Sequence, residues 1–170
     1  MPQQRGHETT LRESFTEMSE ILMPNSTNNL GRALGGAVLH WMDICGAIAA
    51  RRFSRRQVVT ASMDHVDFIA PIELGDIVTV TAYVFDTGRT SMDVKVDVLA
   101  ERPSQGERAE TASSFFSFVA LDAGERPTEI PALRCPTDEQ RGLRDDALAA
   151  RRQRRRELAV EGAVEQTGFQ

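Results

Sequence analysis

Cysteine is almost missing from this 170-residue chain: Cys45 and Cys135 are the two it has. That is too few for a disulfide-rich scaffold or a four-ligand zinc site. No run approaches the ~18 consecutive apolar residues of a membrane span. The opening residues Met1–Glu8 lack the apolar core of a signal peptide, so a cytoplasmic protein with no membrane partner is expected. Lysine is nearly absent as well, Lys95 standing alone among 20 basic residues; no function is drawn from that bias. Positive charge is not in excess, since 25 acidic residues leave a net charge of −5. A general nucleic-acid binder carries the opposite sign, so no nucleic-acid partner is expected. Several catalytic motifs are missing too. There is no G-x-S-x-G nucleophile elbow, no phosphate loop and no G-x-G-x-x-G. His7, His40 and His65 do not stand at a metal-ligand spacing, so no metal is expected. Cys45 has apolar neighbours and reads as packing, and Cys135 lies on a loop with no obvious base nearby. Any chemistry should therefore rest on a carboxylate.

What remains is a chain with 41% hydrophobic and 26% charged residues. It is long enough for one domain that buries roughly 70% of its unfolded surface. Glu8 to Met23 has an ambiguous period and suits a strand or a short helix. Pro24 to Gly31 reads as a loop. Gly35-Gly36 then opens a proline-free, alanine-rich stretch to Phe53, long enough for a helix and apolar around almost the whole wheel, so burial on most sides is expected. Arg51, Arg52, Arg55 and Arg56 suit the negative pole of its dipole. Strand-like runs follow at Gln57–Ile69, Ile77–Asp86, Thr90–Ala100 and Glu110–Leu121. Val94, Val96 and Val98 alternate with Lys95 and Asp97 at period two. Short turn-like separators favour an antiparallel sheet, because parallel crossovers need about a dozen residues or more. From Pro136 the composition turns highly charged and predicts a solvated helix with a frayed end. The class is α+β, with an antiparallel sheet around one long helix. Uncovered sheet edges make self-association the natural expectation.

Asp43 is the residue that does not belong, an aspartate between Met42 and Ile44 in the apolar helix. Such a group sits on a polar edge bound to a neighbour, or it does chemistry; residue type alone leaves both open. His40 lies one turn earlier on nearly the same face. If Gly35-Gly36 begins the helix, the first amides lack intrahelical partners and could face a developing oxyanion, or the pair could simply serve tight packing.

The run Met23-Pro24…Asn28…Gly31…Gly35-Gly36…Met42-Asp43…Gly46-Ala47 resembles the hotdog-fold acyl-CoA thioesterases, in their cytosolic (brain-type) and bacterial YciA-type branch. Val58-Val59-Thr60, Asp67-Phe68-Ile69-Ala70-Pro71…Gly75-Asp76, Gly88-Arg89-Thr90-Ser91, Phe116…Phe118-Val119-Ala120-Leu121-Asp122 and Ile130-Pro131 continue the resemblance in register. It implies a dimeric hotdog domain over residues 8–133 with a charged helical tail over 134–170. It implies hydrolysis of acyl-CoA to free fatty acid and CoA, with coenzyme A entering as part of the substrate and no separate cofactor. By position, Asp43 becomes the general base or nucleophile, Asn28 orients water or the carbonyl, and the Gly36 amide is the oxyanion donor. Asn28 and Asp43 would come from different halves of a homodimer, and the dimers would assemble further as a trimer of dimers. Arg89 with Ser91, then Arg55 and Arg56, are the candidates for the CoA nucleotide. Leu34 stands where the family often has an aromatic residue or histidine, which leaves the acyl preference open. The Arg151–Arg156 block reads as a solvated helix face. A hotdog protein that binds acyl-CoA without turnover is the alternative.

Overall fold

The computed structural model describes residues 8–167. The opening Met1–His7 and the last residues of the expected frayed end lie outside them. Glu8–Met23 is neither one strand nor one helix: β1 (Glu8–Thr10) leads into a single turn, α1 (Leu11–Ser14), and then β2 (Thr16–Ile21). A capping box made by Thr10 and Glu13 holds that turn. The mixture accounts for the ambiguous period. A 3₁₀ turn at Pro24–Ser26 follows, and then the long helix α2, Gly35–Ser54.

The remaining strands are β3 (Gln57–Met63), β4 (Asp67–Phe68), β5 (Ile77–Thr87), β6 (Ser91–Arg102), β7 (Glu107–Leu121) and β8 (Ala132–Arg134). Strands β2 to β7 form an antiparallel six-stranded sheet in the order β2-β5-β6-β7-β3, with β4 beside β7. β1 and β8 make a separate parallel pair. The segment expected as one strand, Gln57–Ile69, is broken between β3 and β4. There the Ser114 hydroxyl donates to the carbonyls of Asp64 and His65 at 3.1 and 3.2 Å.

The sheet curls around α2, the hotdog arrangement. Val78, Val80, Ala82, Val84, Val94, Val96, Val98, Phe116 and Phe118 face Val38, Met42, Cys45, Ala49 and Phe53 of the helix, all fully or nearly fully buried. Gly46 makes the approach possible, since a Cβ there would stand 3.0 Å from the Phe118 ring. The helix is not buried on most sides, however. In the single chain His40, Ile44, Arg51 and Arg52 are exposed and Asp43 and Ile48 half-buried. The apolar wheel has sheet on one side only.

The other face of the sheet carries a second cluster, Leu11, Tyr83, Phe85 and Phe115, roofed by the thirty-residue helix α3, Asp138–Thr167. Ala147 is fully buried there, and Leu143 and Leu148 pack beside it. The Arg151–Arg156 block is not a simple solvated face. Arg151 and Arg154 leave only 11% and 17% of their side chains exposed. Both guanidinium groups lie within 6 Å of the Phe115 ring, at 5.9 and 5.8 Å. Their long stems can cover aromatic surface while the heads find carboxylates. Charge density in the sequence gave no hint of which arginines turn inward.

Candidate active site

Asp43 lies on the flank of α2 that meets β3. Its Oδ1 accepts a hydrogen bond from the Thr60 hydroxyl at 2.7 Å. The carboxylate opens onto a cavity of about 430 Å³ whose lining includes Gly36, His40, Thr60, Ser62 and Met63. The aspartate is thus anchored by one neighbour and still faces open space. Thr60 reaches it at an irregularity in the β3–β7 register between Thr60 and Ser62. Bulges of this kind re-aim side chains beside functional sites. Thr60 was missed from the sequence, where it is one polar residue among many in a strand.

Gly36 is the second residue of α2. Leu34 caps the helix without a side-chain hydrogen bond, and the amides of Ala37 and Val38 both return to the Leu34 carbonyl, at 3.0 and 3.2 Å. The Gly35 and Gly36 amides precede those bonds, in the part of a helix where donors have no intrahelical acceptor. Gly36 and Asp43 share one cavity.

Asn28 does not join them within one chain. Its Oδ1 accepts from the amides of Leu30 and Arg32 at 2.9 and 3.2 Å, which pins the loop. It lines a separate cavity of about 340 Å³ together with Gly35, Val38, Phe68 and Pro71. The boundary between the two cavities thus runs between consecutive residues, Gly35 and Gly36.

The arginine candidates gather at the other end of α2. Arg55 and Arg56 line a cleft of about 670 Å³ with Arg51 and Arg52, and a second of about 520 Å³ with Glu129 and Ile130. Arg89 is 79% exposed and paired with Glu129 at 3.5 Å. Ser91 begins β6, and its backbone carbonyl closes the turn by accepting from the Gly88 amide at 2.9 Å; its hydroxyl lies 2.7 Å from where a Cβ on Gly88 would stand.

Cys45 is fully buried, with its thiol near the carbonyls of Thr16 and Val80. Burial pushes it up to about 12, although nearby Arg52 pulls the other way. A thiol so reluctant to ionise is no nucleophile at neutral pH.

With this geometry in view, comparison with known proteins is specific. Residues 30–107 match the thioesterase superfamily. The acyl-CoA thioester hydrolase YkhA of Bacillus subtilis, itself uncharacterized, is 38% identical over 144 residues, 85% of this chain and 84% of that protein. The acyl-CoA hydrolase of Staphylococcus aureus, solved with butyryl coenzyme A and coenzyme A, is 30% identical with a TM-score of 0.78, covering 94% of this chain and 98% of that one. Its Asn28→Ala, Asp43→Ala and Thr60→Ala variants, in that protein's numbering, have also been solved. A hexameric acyl-CoA thioesterase without ligand is 35% identical with a TM-score of 0.80, covering 90% and 98%.

Proposed function

Because the chain belongs to the acyl-CoA thioester hydrolases of the thioesterase superfamily, we propose that it cleaves acyl-CoA to free fatty acid and CoA with Asp43 as its catalytic carboxylate. The observation that carries this is the Asp43–Thr60 pair beside Gly36 at one cavity. A thioester carbonyl is weakly stabilised by resonance, and a thiolate with a conjugate-acid pKa of about 8.5 leaves with little acid assistance. One carboxylate and an oxyanion donor therefore suffice. With Oδ1 engaged by Thr60, Oδ2 takes a proton from the water that attacks the carbonyl, or attacks the carbonyl itself to give a mixed anhydride that water then hydrolyses to fatty acid and free Asp43. The Gly36 amide receives the developing oxyanion, and the thiolate departs as CoA. The same three residue types, Asn28, Asp43 and Thr60, are those replaced in the solved Staphylococcus aureus variants. Coenzyme A enters as substrate, and the reading needs no separate cofactor.

Asn28 acts on the Asp43 of a second subunit, orienting water or the carbonyl. Several observations support that division. β3 is a sheet edge with Val59 and Met63 47% and 49% exposed, and Ile44 and Phe68 are exposed nearby. An open apolar edge favours pairing with a second copy; a hexameric relative supports a hexamer, which such dimers would build as a trimer of dimers. Arg89 with Ser91, and Arg55 with Arg56, receive the phosphates of the nucleotide. No helix among the described residues is long and apolar enough to cross a membrane, and the cytoplasm is the compartment proposed.

The test is thiol release across a panel of acyl-CoA chain lengths, with Asp43→Asn as control. The variant should lose about 10²-fold or more in kcat with KM little changed, the scale of a lost general base. Wild-type binding of acyl-CoA without turnover would replace the enzyme by a carrier or sensor.

A further inference from the structure

The segment that joins β3 to β4, Asp64 to Asp67, connects the walls of both cavities. Before it, Thr60, Ser62 and Met63 line the Asp43 cavity. After it, Phe68 and Ile69 line the Asn28 cavity, with the Phe68 ring packed against Gly35 at the start of α2. The segment contains neither glycine nor proline, and its backbone is tied to β7 by the Asp64 amide, which donates to the Phe115 carbonyl at 2.9 Å, and by the pairing of Asp67 with Ser113. Besides these and the Ser114 hydroxyl, its side chains are held by α3, on the far side of the sheet.

Arg151 donates from Nε and Nη2 to the two oxygens of Asp64 at 3.0 and 3.4 Å. Its Nη1 stands 2.8 Å from Asp93 on β6. Arg154 pairs with Asp67 at 2.9 Å and donates to the carbonyls of Ser113 and His65 at 2.9 and 3.3 Å. Asp67 also lies 3.1 Å from His65 Nε2. Two arginines on one face of α3 thus grip both ends of the segment and tie them to β6 and β7. A guanidinium fork can hold a carboxylate and carbonyls in fixed directions, which a lysine cannot do. The Arg151–Asp64 pair is largely shielded from water and so is screened less than a surface pair, whereas Asp67 is half exposed.

We infer that Arg151 and Arg154 are positioning residues for the thioesterase reaction: through Asp64 and Asp67 they set where β3 and β4 stand, and so hold the substrate-facing walls in place from the opposite side of the sheet. This rests on the cavities being those of the proposed acyl-CoA site. It gives the charged C-terminal helix a kinetic role, although none of its described residues lines either cavity.

Arg151→Met and Arg154→Met keep the stems over Phe115 and delete the grip. Three readouts apply: amide hydrogen exchange over residues 64–68, the dissociation constant for CoA, and kcat and KM for a short acyl-CoA. Exchange should accelerate, and KM and the CoA dissociation constant should rise about fivefold or more while kcat stays within about threefold, because uniform binding is what is lost. Exchanging the charges, Arg154→Asp with Asp67→Arg, should recover much of the loss. Leu143→Ala, which loosens α3 without touching the segment, should lower Tm and leave KM unchanged. Arginine variants that lower Tm while KM and CoA affinity stay at wild-type values would overturn the inference and leave α3 a stabilising strap. If wild type shows no turnover, the Asp43 reading fails, and exchange with CoA affinity still decide this one.

Discussion

Replacing Thr60 by valine removes one hydroxyl and keeps both the β-branched shape and the strand preference. The bond lost is the 2.7 Å donation to Asp43 Oδ1. A hydrogen bond to a charged acceptor is worth about 1.5–3 kcal/mol when partly buried. Thr60 is exposed and Asp43 half-buried, which points to the lower end, and ~1.4 kcal/mol corresponds to tenfold in rate. A second estimate comes from geometry. Without the hydroxyl the Asp43 side chain can sample roughly three staggered χ1 wells instead of one, so about a third of molecules hold the reactive rotamer at any moment. The two arguments bracket the loss in kcat at roughly three- to tenfold. KM should stay within about twofold, since the bond acts on the carboxylate and not on bound substrate. Thr60→Ser keeps the donor and should stay close to wild type. The assay is continuous detection of released CoA thiol with a chromogenic disulfide. Unchanged kcat in Thr60→Val would show that the bond positions nothing. A loss beyond about 10²-fold would place Thr60 among the reacting groups, as general acid–base participants are.

Two further outcomes follow. Gly36→Pro deletes one amide in the first turn of α2, where proline is tolerated, and should lower kcat by about 10²-fold or more, as for a lost oxyanion donor; circular dichroism should show the helix retained, and near-normal turnover would remove that amide from the mechanism. Cys45, pushed up to about 12 by burial, should resist alkylation at pH 8 in the folded protein, while half-buried Cys135, raised by burial as well, reacts slowly; after unfolding both should react alike. The sign for stability runs the same way: the folded thiol keeps its proton where the unfolded one releases it, so the contribution is complete at neutral pH and is lost as pH climbs from the ordinary thiol range towards about 12. Cys45→Ala should flatten that alkaline decline in a thermal melt series.

Much of the architecture was legible because one face of each central strand is apolar. Val94, Val96 and Val98 alternate in the sequence and all three are fully buried. Asp43 was legible because a charge in an apolar helix needs a reason. The break after Met63 was not, because the residues that impose it are remote: Ser114 and Arg151 reach Asp64 from 50 and 87 positions away. Thr60 was hidden for a similar reason, since its aim depends on a bulge that pairing with β7 creates. The helix wheel misled in an informative way. Ile44 and Ile48 on α2 predicted burial, yet one chain leaves Ile44 exposed. Apolar patterning reports that a surface will be covered without saying by which chain.

That last point bears on how the proposed site is completed, and complementation tests it. If Asp43 of one subunit works with Asn28 of its partner, an Asn28→Ala subunit and an Asp43→Asn subunit are each inactive alone for different reasons. Mixed by unfolding and refolding together, half of the dimers are heterodimers by chance, and in each of these one of two sites receives both intact residues. Activity should return to roughly one quarter of wild type. Had the two residues served one chain's own site, every site in the mixture would carry a defect and nothing would be recovered. The single chain favours the first outcome, because Asn28 and Asp43 line different cavities. Recovery near zero, with heterodimers verified by native mass spectrometry, would place both residues in one subunit and remove the need for a partner in the chemistry.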